Sequence, residues 1–278
     1  MFRKCLAMLC VFLALFCAPG SAREESEWLE VVFLDVGKAD AAVLLTEHSV
    51  VVIDTGKNKT GEDLVDFLRS RDVSHIDVMI ITHFDKDHVG GADKVLEAFS
   101  VGTVYECAWE KDSKQVRQYR DALESQGIQP VVLTEDVAFA IDGAQYAVDA
   151  AQHSYTGENA SNDMSLVVRV EYGQTSFLFA ADAENDRLFE LLEEGDLASD
   201  VLKVPHHGGY EALSSAFFQA VLPEYAVITS DAENPEDETV VHILSSLGVT
   251  VYLTRLGSVT MVSDGENLDV SQAAFSEQ

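Results

Sequence analysis

The strongest constraint on this chain is one short loop, Thr82 to Gly91, which contains His83, Asp85, Asp87 and His88. An apolar run that reads as a buried strand leads into the loop, and a helical pattern follows it. Imidazole and carboxylate groups crowded at this spacing repel and desolvate one another unless a cation neutralises them. Two glycines end the loop and allow a tight turn. The chain must therefore place a strand, a cation-binding loop and a helix in succession.

The N-terminus has the features of a secretory signal. Arg3 and Lys4 precede an apolar run, and the small residues of Ala18 to Ala22 follow, where a signal peptidase would cut. The apolar run is too short to span a bilayer, and no later run is long enough. We therefore expect residues 1–22 to be a signal peptide, with an uncleaved anchor as the alternative. Residues 23–278 are then expected to form one secreted or extracytoplasmic domain without a membrane span.

Charge and cysteine content narrow the class of protein. The chain has 48 acidic and 18 basic residues, a formal net charge of −30. This balance argues against a general nucleic-acid-binding surface, so contact with a phosphate backbone would be local, through bound metal or a few Lys and Arg. Three of the four cysteines lie in the predicted signal. Cys107 alone cannot form an internal disulfide, so the fold must depend on its core.

Strands and helices alternate along the rest of the chain, and many of the strands are linked as hairpins. The patterns predict strands at 29–36, 41–45, 50–54, 76–81, 103–107, 130–133, 137–141, 145–150, 166–172, 176–181, 201–205, 226–229, 249–253, 259–262 and 268–270. They predict helices near 62–69, 94–99, 115–125, 184–193, 213–220 and 238–247, and a polar loop at 153–163. This order indicates an α/β protein with two sheets covered by helices.

Polar residues follow several of the predicted strands directly. Asp54 ends one strand, the loop from Thr82 follows another, Asp182 follows a third, and His206 and His207 follow a fourth. Such residues converge on one rim of a sheet, where α/β sites are commonly built. Imidazole and carboxylate ligands suit zinc, and also manganese or iron. A carboxylate such as Asp182 can bridge two ions, and two ions can clamp a phosphoryl or acyl group around a hydroxide.

Six short pieces carry a family resemblance. They are Phe33 to Asp40, Ile53 to Gly56, Thr82 to Gly91, Asn162 to Leu166, Ala181 to Glu184 and Leu202 to Gly209. Together and in this order, they resemble the metallo-β-lactamase superfamily and, within it, the extracellular hydrolase domain of the ComEC competence protein and its free-standing relatives. The resemblance implies an αββα sandwich of two mixed sheets flanked by helices. It also implies a site at the open edge between the sheets.

The same resemblance implies the ligands of two metal ions. His83 and Asp85 would hold one ion, Asp87 and His88 the other, and Asp182 would bridge them. Asp87 would also orient the attacking hydroxide or accept its proton, which makes it the expected catalytic residue.

Further residues are implied around this centre. Either His206 or His207 would complete the site of the second ion, and the other would contact a ligand or the substrate. Asp54 would orient a metal ligand. Asn162 and Ser165 match a polar pair near the site in the ComEC-like group, with loop capping as the alternative.

The chain also departs from the family pattern. The broad superfamily has a histidine at the position of Asp85, whereas the ComEC-like group has an aspartate there. An aspartate at this position argues against β-lactam hydrolysis. The Tyr-Gly-His-Pro segment of that group is replaced by Glu233 to Glu236, which contains no histidine. His153, in the polar loop, is a further candidate ligand.

We therefore expect a secreted, competence-related hydrolase of phosphodiester bonds that uses two divalent ions, zinc first, with manganese or iron as alternatives. Nucleic acid, including DNA, and cell-envelope phosphoesters are the expected substrates. One alternative is a hydrolase of small esters or lactones, and another is a non-catalytic metal-binding surface protein. A basic rim around the site would favour nucleic acid as the substrate, and an enclosed apolar pocket would favour small esters. A site that solvent cannot reach would favour the non-catalytic binding role. The sequence gives no indication of the oligomeric state.

Overall fold

Two mixed β-sheets lie face to face; the first takes strands from both ends of the described chain, and the second takes strands from its middle. The structure is a computed structural model, and it describes residues 26–157 and 159–273. The strands are β1 (Leu29–Phe33), β2 (Ala42–Leu45), β3 (Val50–Ile53), β4 (His75–Ile81), β5 (Ser100–Cys107), β6 (Val131–Leu133), β7 (Val137–Ile141), β8 (Ala144–Asp149), β9 (Val167–Tyr172), β10 (Thr175–Phe179), β11 (Val201–Lys203), β12 (Tyr225–Ile228), β13 (Thr250–Leu253), β14 (Val259–Ser263) and β15 (Leu268–Gln272). The helices are α1 (Gly61–Ser70), α2 (Ala92–Ala98), α3 (Lys114–Gln126), α4 (Ala160–Asp163), α5 (Asn185–Glu194), α6 (Ser214–Val221) and α7 (Glu238–Ser246).

Each sheet combines an antiparallel half with a parallel half. The first has the order β15-β14-β1-β2-β3-β4-β5-β6, and it becomes parallel from β3 onwards. The second has the order β13-β12-β11-β10-β9-β8-β7, and it is parallel from β10 to β13. Parallel neighbours need crossover connections, and these supply α1 to α3 for one sheet and α5 to α7 for the other. The predicted αββα sandwich is therefore confirmed.

Apolar side chains from both sheets form the core between them. The rings of Phe33 in β1 and Phe179 in β10 stack across the two sheets with their centroids 5.5 Å apart. Strand β4 is buried along nearly its whole length, as expected for a parallel strand covered on both faces. Cys107 is buried at the end of β5, and burial raises the pKa of its thiol to about 12. A buried thiol with a raised pKa carries little thiolate, so Cys107 is expected to react poorly.

Some predicted boundaries are wrong, and the differences lie close to the strand ends that matter for function. Strand β1 ends at Phe33, three residues early, because the chain turns away through a left-handed Gly37 (φ 75°). Strand β11 ends at Lys203 because Pro205 begins a 3₁₀ turn. The predicted loop 153–163 contains the short helix α4, which the sequence pattern does not reveal.

The loops after β3 and β4 pack backbone against backbone. A Cβ atom on Gly90 would lie 2.1 Å from the carbonyl oxygen of Lys86, and one on Gly91 would lie 2.3 Å from that of Thr55. These distances leave room only for hydrogen, so glycine is required at both positions.

Two predictions about the ends of the chain have different outcomes. The predicted signal peptide, residues 1–22, lies outside the described residues. Within the described residues, no helix has the length and apolar character needed to cross a bilayer.

Candidate metal centre

The carboxyl ends of strands from both sheets meet at one edge of the sandwich. Backbone hydrogen bonds connect the loops there: the amide of Thr55 donates to His88 across 2.8 Å, and that of Asp40 donates to Asp87 across 3.0 Å. The amide of Leu166 donates to Thr82 across 3.0 Å and joins the second sheet to the first. Because these bonds fix the loops to one another, their side chains have defined positions.

Asp182 lies at the middle of this edge, with histidines on two sides. Its Oδ2 atom is 3.2 Å from Nε2 of His88 and 3.3 Å from Nε2 of His207. The ring of His83 packs against that of His88 with a centroid distance of 4.0 Å. His83, His88 and Asp182 have ligand atoms within 4.8 Å of one another, as a shared ion requires.

These side chains fit a divalent cation. The Nε2 atoms of His83, His88 and His207 and the Oδ1 atom of Asp182 are buried and have no hydrogen-bond partner. An unpaired buried polar atom costs roughly 1–3 kcal/mol, so four in one place would be a large penalty without a ligand. Two ligands of a tetrahedral zinc ion lie about 3.4 Å apart, given bonds of about 2.1 Å. The measured separations of 3.2 and 3.3 Å around Asp182 agree with this spacing.

The acidic and basic groups of the centre shift one another's pKa values. Although burial acts in the opposite direction, His207 and His88 hold the pKa of Asp182 well below its usual range. In turn, Asp182 raises the pKa of both imidazoles against the effect of burial. Burial and the neighbouring His88 lower the pKa of His83 to about 4. Because a ligating imidazole must be deprotonated at the ligating nitrogen, metal binding at this centre is expected to compete with protons and to weaken as the pH falls.

Asp54 orients one of these histidines. Its carboxylate accepts hydrogen bonds from Nδ1 of His88 at 2.8 Å and from the amide and hydroxyl of Thr82 at 2.8 and 2.7 Å. A carboxylate on Nδ1 keeps the proton there and leaves Nε2 free to bind a metal. Asp54 itself has a left-handed backbone (φ 58°), which turns the chain into the site directly after β3.

The Asp85 and Asp87 carboxylates lie on the outer side of the centre. Asp85 Oδ1 is 3.9 Å from Nε2 of His83 and also accepts hydrogen bonds from Ser161 and, at 2.5 Å, from Lys111. The Asp87 side chain is 21% exposed, with Oδ2 3.8 Å from Nε2 of His207. Asp85 and Asp87 are thus two carboxylates that face both the histidine cluster and solvent.

Sequence reasoning missed a buried group behind the centre. Lys203, only 3% exposed, forms an ion pair with Asp40, and its Nζ lies 3.6 Å from Oδ1 of Asp182. Asp40 also accepts a hydrogen bond from Thr229 at 2.6 Å, and the Thr229 hydroxyl is 2.9 Å from Nδ1 of His207. Asp40 and Thr229 therefore orient His207 much as Asp54 orients His88. The sequence signal that could have revealed this ion pair is the presence of a lysine in the otherwise apolar strand β11.

Several candidates lie away from the centre. His206 projects toward Glu184 and Glu211, whereas His207 faces Asp182. Asn162 donates to Glu184 at 2.7 Å. The hydroxyl of Ser165 is buried without a hydrogen-bond partner.

His153 lies farther off. Its side chain is 74% exposed, and its Nδ1 atom is 2.6 Å from Glu190. The fold therefore does not bring His153 to the Asp182 centre, whereas it brings His207, and not His206, to within 3.3 Å of Asp182.

We predict that Asp54→Asn weakens metal binding about 10- to 100-fold, the usual cost of losing a partner of a ligating histidine. In the wild type, Nδ1 of His88 and Thr82 both donate hydrogen bonds to the Asp54 carboxylate. The NH₂ group of asparagine would face one of these donors, so at least one hydrogen bond would be lost. Competition with a chromophoric chelator measures the affinity for Zn²⁺. The exposed Asp66→Asn on α1 is the control and should bind as tightly as the wild type. An unchanged affinity in Asp54→Asn would contradict the orienting role.

A family model described as "Metallo-beta-lactamase superfamily" matches residues 34–229. Among curated proteins, ComE operon protein 3 of Bacillus subtilis is 28% identical, with 74% of this chain and 29% of that protein covered. Recombination protein 2 of Haemophilus influenzae is 25% identical, with 83% and 27% covered. Competence protein ComA of Neisseria gonorrhoeae is 26% identical, with 73% and 27% covered. The chain thus spans less than a third of the length of these relatives.

Two solved structures share the fold. The metallo-beta-lactamase fold protein YhfI from Bacillus subtilis superposes with a TM-score of 0.57 at 9% identity, covering 87% of this chain and 100% of that one. Igni18, a metallo hydrolase from Ignicoccus hospitalis, superposes with a TM-score of 0.55 at 16% identity, covering 84% and 98%. At these identities the likeness concerns the fold alone.

Proposed function

We propose that this chain, which belongs to the metallo-β-lactamase superfamily of metal-dependent hydrolases, hydrolyses phosphodiester bonds at the Asp182 centre. It would use two divalent ions, with zinc as the first candidate. The observation that carries the proposal is the cluster of buried, unpaired imidazole nitrogens around one carboxylate, at an edge that solvent reaches through Asp85 and Asp87. Members of this cluster come from both sheets, so the donor set is a product of the whole fold.

The local charge around the centre supports an anionic substrate. In a chain with a net charge of −30, several lysines lie on the loops that carry the site residues. Lys86 is exposed between Asp85 and Asp87, and Lys111 contacts Asp85 directly. Lys38 and Lys57 lie on the loops of Asp40 and Asp54. Lys57 and Lys111 are paired with Asp231 and Asp85, so local attraction of a phosphate would come mainly from Lys38 and Lys86, whereas the acidic remainder of the surface repels it.

The relatives point in the same direction. Their names connect them with competence and recombination, which supports DNA as the first substrate to test. The predicted signal peptide, residues 1–22, would place this chemistry outside the cytoplasm, and N-terminal sequencing of the exported protein tests that prediction.

Each protein group has a distinct role in the proposed reaction. When bound, the ions supply an activated water nucleophile and neutralise charge on the phosphoryl oxygens. His83, Asp85, Asp87, His88, His207 and Asp182 would hold them. Asp87, at the exposed side of the cluster, would orient the attacking water and accept its proton.

The alternative of small esters or lactones has less support. Such substrates need an enclosed, largely apolar pocket of roughly 300 Å³ or more. The Asp85 and Asp87 side chains at the centre are 32% and 21% exposed, so this edge of the sandwich is open rather than enclosed. A purely binding role is also less well supported, because Asp85 and Asp87 are partly exposed and leave the centre accessible.

We predict metal-dependent cleavage of bis-p-nitrophenyl phosphate and of single- or double-stranded DNA by purified protein loaded with Zn²⁺ or Mn²⁺. Chelation should abolish the activity, and either ion should restore it. An acetate ester, a lactone and a β-lactam should be cleaved far more slowly.

Lys86→Ala should raise KM for DNA several-fold and leave kcat nearly unchanged, whereas the exposed Lys114→Ala on α3 should change neither. A wild-type protein that binds no metal and cleaves no phosphodiester would refute the proposal.

A further inference from the structure

A second cluster of metal-ligating side chains lies beside the Asp182 centre. The Nδ1 atom of His206 is 3.5 Å from Oε1 of Glu184 and 3.5 Å from Oε1 of Glu211. This nitrogen is buried and has no hydrogen-bond partner. A histidine paired with either carboxylate would make a hydrogen bond near 2.8 Å, so an imidazole held at 3.5 Å from both is unsatisfied.

Neighbouring amides hold both carboxylates in place. Asn162 donates to Oε1 of Glu184 at 2.7 Å, and Asn159 donates to its Oε2 atom. Asn185 donates to Oε2 of Glu211 at 2.5 Å. Neutral amides fix the position of a carboxylate without removing its charge. The cluster is therefore preorganised before any ion binds.

The negative charge of this cluster has no fixed counter-charge. No lysine or arginine in residues 26–157 or 159–273 forms an ion pair with Glu184 or Glu211, and His206 is the basic group beside them. Burial and the nearby charge of Glu184 raise the pKa of Glu211. Two like charges held close together at a partly buried position favour a bound cation.

The spacing identifies the kind of cation. Zinc–nitrogen and zinc–oxygen bonds of about 2.1 Å place two tetrahedral ligands about 3.4 Å apart. The two 3.5 Å separations at His206 match this value, and the three ligand atoms lie within 4.8 Å of one another. We propose that His206, Glu184 and Glu211 form an accessory site for a divalent transition-metal ion, Zn²⁺ or Mn²⁺, distinct from the Asp182 centre. One imidazole and two carboxylates suit both ions.

The accessory ion would also stabilise the neighbouring active-site wall. Helix α4 carries Ser161, which contacts Asp85, next to Asn162, which contacts Glu184. The rings of His206 and His207 are only 6.5 Å apart. An ion at the accessory site would fix Glu184 and thereby α4, so its role is to position the residues around Asp85.

The number of bound ions tests this site independently of catalysis. Purified protein is equilibrated with Zn²⁺ and dialysed, and the metal-to-protein ratio is measured by mass spectrometry. His206→Gln and the isosteric Glu211→Gln should each bind one ion fewer than the wild type. They should also bind one fewer in an Asp182→Asn background, where the main centre is impaired. His242→Gln and Glu238→Gln, both exposed on α7, are the matched controls and should keep the wild-type ratio.

The result separates this inference from the proposed function. Unchanged ratios in both His206→Gln and Glu211→Gln, with a reduced ratio in Asp182→Asn, would overturn the accessory site and leave the main centre intact. Circular dichroism and thermal unfolding in excess chelator establish that each variant is folded. In folded variants, added Zn²⁺ should raise the unfolding temperature less than in the wild type, and an equal rise would also count against the site.

Discussion

Replacing Asp182 by asparagine is expected to lower kcat for phosphodiester cleavage at least about 100-fold, since changing even an indirect partner of a metal ligand costs 10- to 100-fold. Asparagine keeps the shape of the side chain and removes its charge. Nε2 of His88 and of His207 would then face a neutral amide, and Lys203 would lose one of its two carboxylate neighbours. The centre would bind its cations weakly because three basic groups would surround it with less compensation.

The measurement combines activity with metal content. Steady-state hydrolysis of bis-p-nitrophenyl phosphate gives kcat, and the metal-to-protein ratio should fall in parallel. Asp269→Asn, an exposed position on β15, is the matched control and should behave as the wild type. Full activity in Asp182→Asn at saturating Zn²⁺ would show that the carboxylate is not a ligand.

Replacing Arg187 by methionine is expected to lower the free energy of unfolding by about 3–5 kcal/mol, the cost of breaking a buried ion pair from one side. The guanidinium of Arg187 is 0% exposed and forms ion pairs with Glu190 and Asp149. It also donates to the carbonyl oxygen of Asp149 at 3.1 Å. Methionine fills similar space but removes the positive charge, so Asp149 and Glu190 lose their ion pairs with Arg187, although Glu190 keeps its hydrogen bonds to Gln152 and Tyr155.

Urea unfolding followed by circular dichroism measures this change, with chelator present so that metal binding does not contribute. Arg117→Met is the control, because the Arg117 side chain is 62% exposed and pairs only with the exposed Asp112. Its effect should be about 0.5 kcal/mol or less, as is usual for surface changes. A loss of less than about 1 kcal/mol in Arg187→Met would mean that the buried pair is replaced without cost, as some buried pairs are.

Much of the architecture could be predicted because it depends on local patterns. The apolar run of β4, the polar loop after it and the helix beyond follow from periodicity and from glycine positions within one continuous stretch, His75 to Ala98. The convergence of Asp54, Asp182 and the adjacent pair His206 and His207 could also be anticipated, because polar residues at the ends of parallel strands gather at one edge.

Other features could not be predicted because they depend on contacts between distant segments. Lys203 reads as an odd charge in a strand until Asp40 is brought against it from 163 positions earlier in the chain. Arg187 reads as part of a polar helix face, yet the fold brings Asp149, at the end of β8, and the carbonyl oxygen of Ser165 against its buried guanidinium.

Adjacent histidines show the limit of local patterns most clearly. His206 and His207 both have left-handed backbones (φ 47° and 52°), so their side chains diverge toward different carboxylates. No property of the dipeptide specifies which ring faces Asp182. That choice depends on the turn that Pro205 begins and on the loops packed around it.

The origin of the ligands in separate sheets has a consequence for how the protein holds together. His83 and His88 follow β4 of the first sheet, whereas Asp182 and His207 follow β10 and β11 of the second. An ion shared among them is a cross-link between the two halves of the sandwich. Any ligand that binds only the folded state stabilises it by RT ln(1 + [L]/Kd), or about 2.7 kcal/mol at a free concentration 100 times Kd. The folding equilibrium of this acidic chain is thereby tied to the supply of metal in its surroundings, and scarcity of metal would expose it to proteolysis as well as inactivate it.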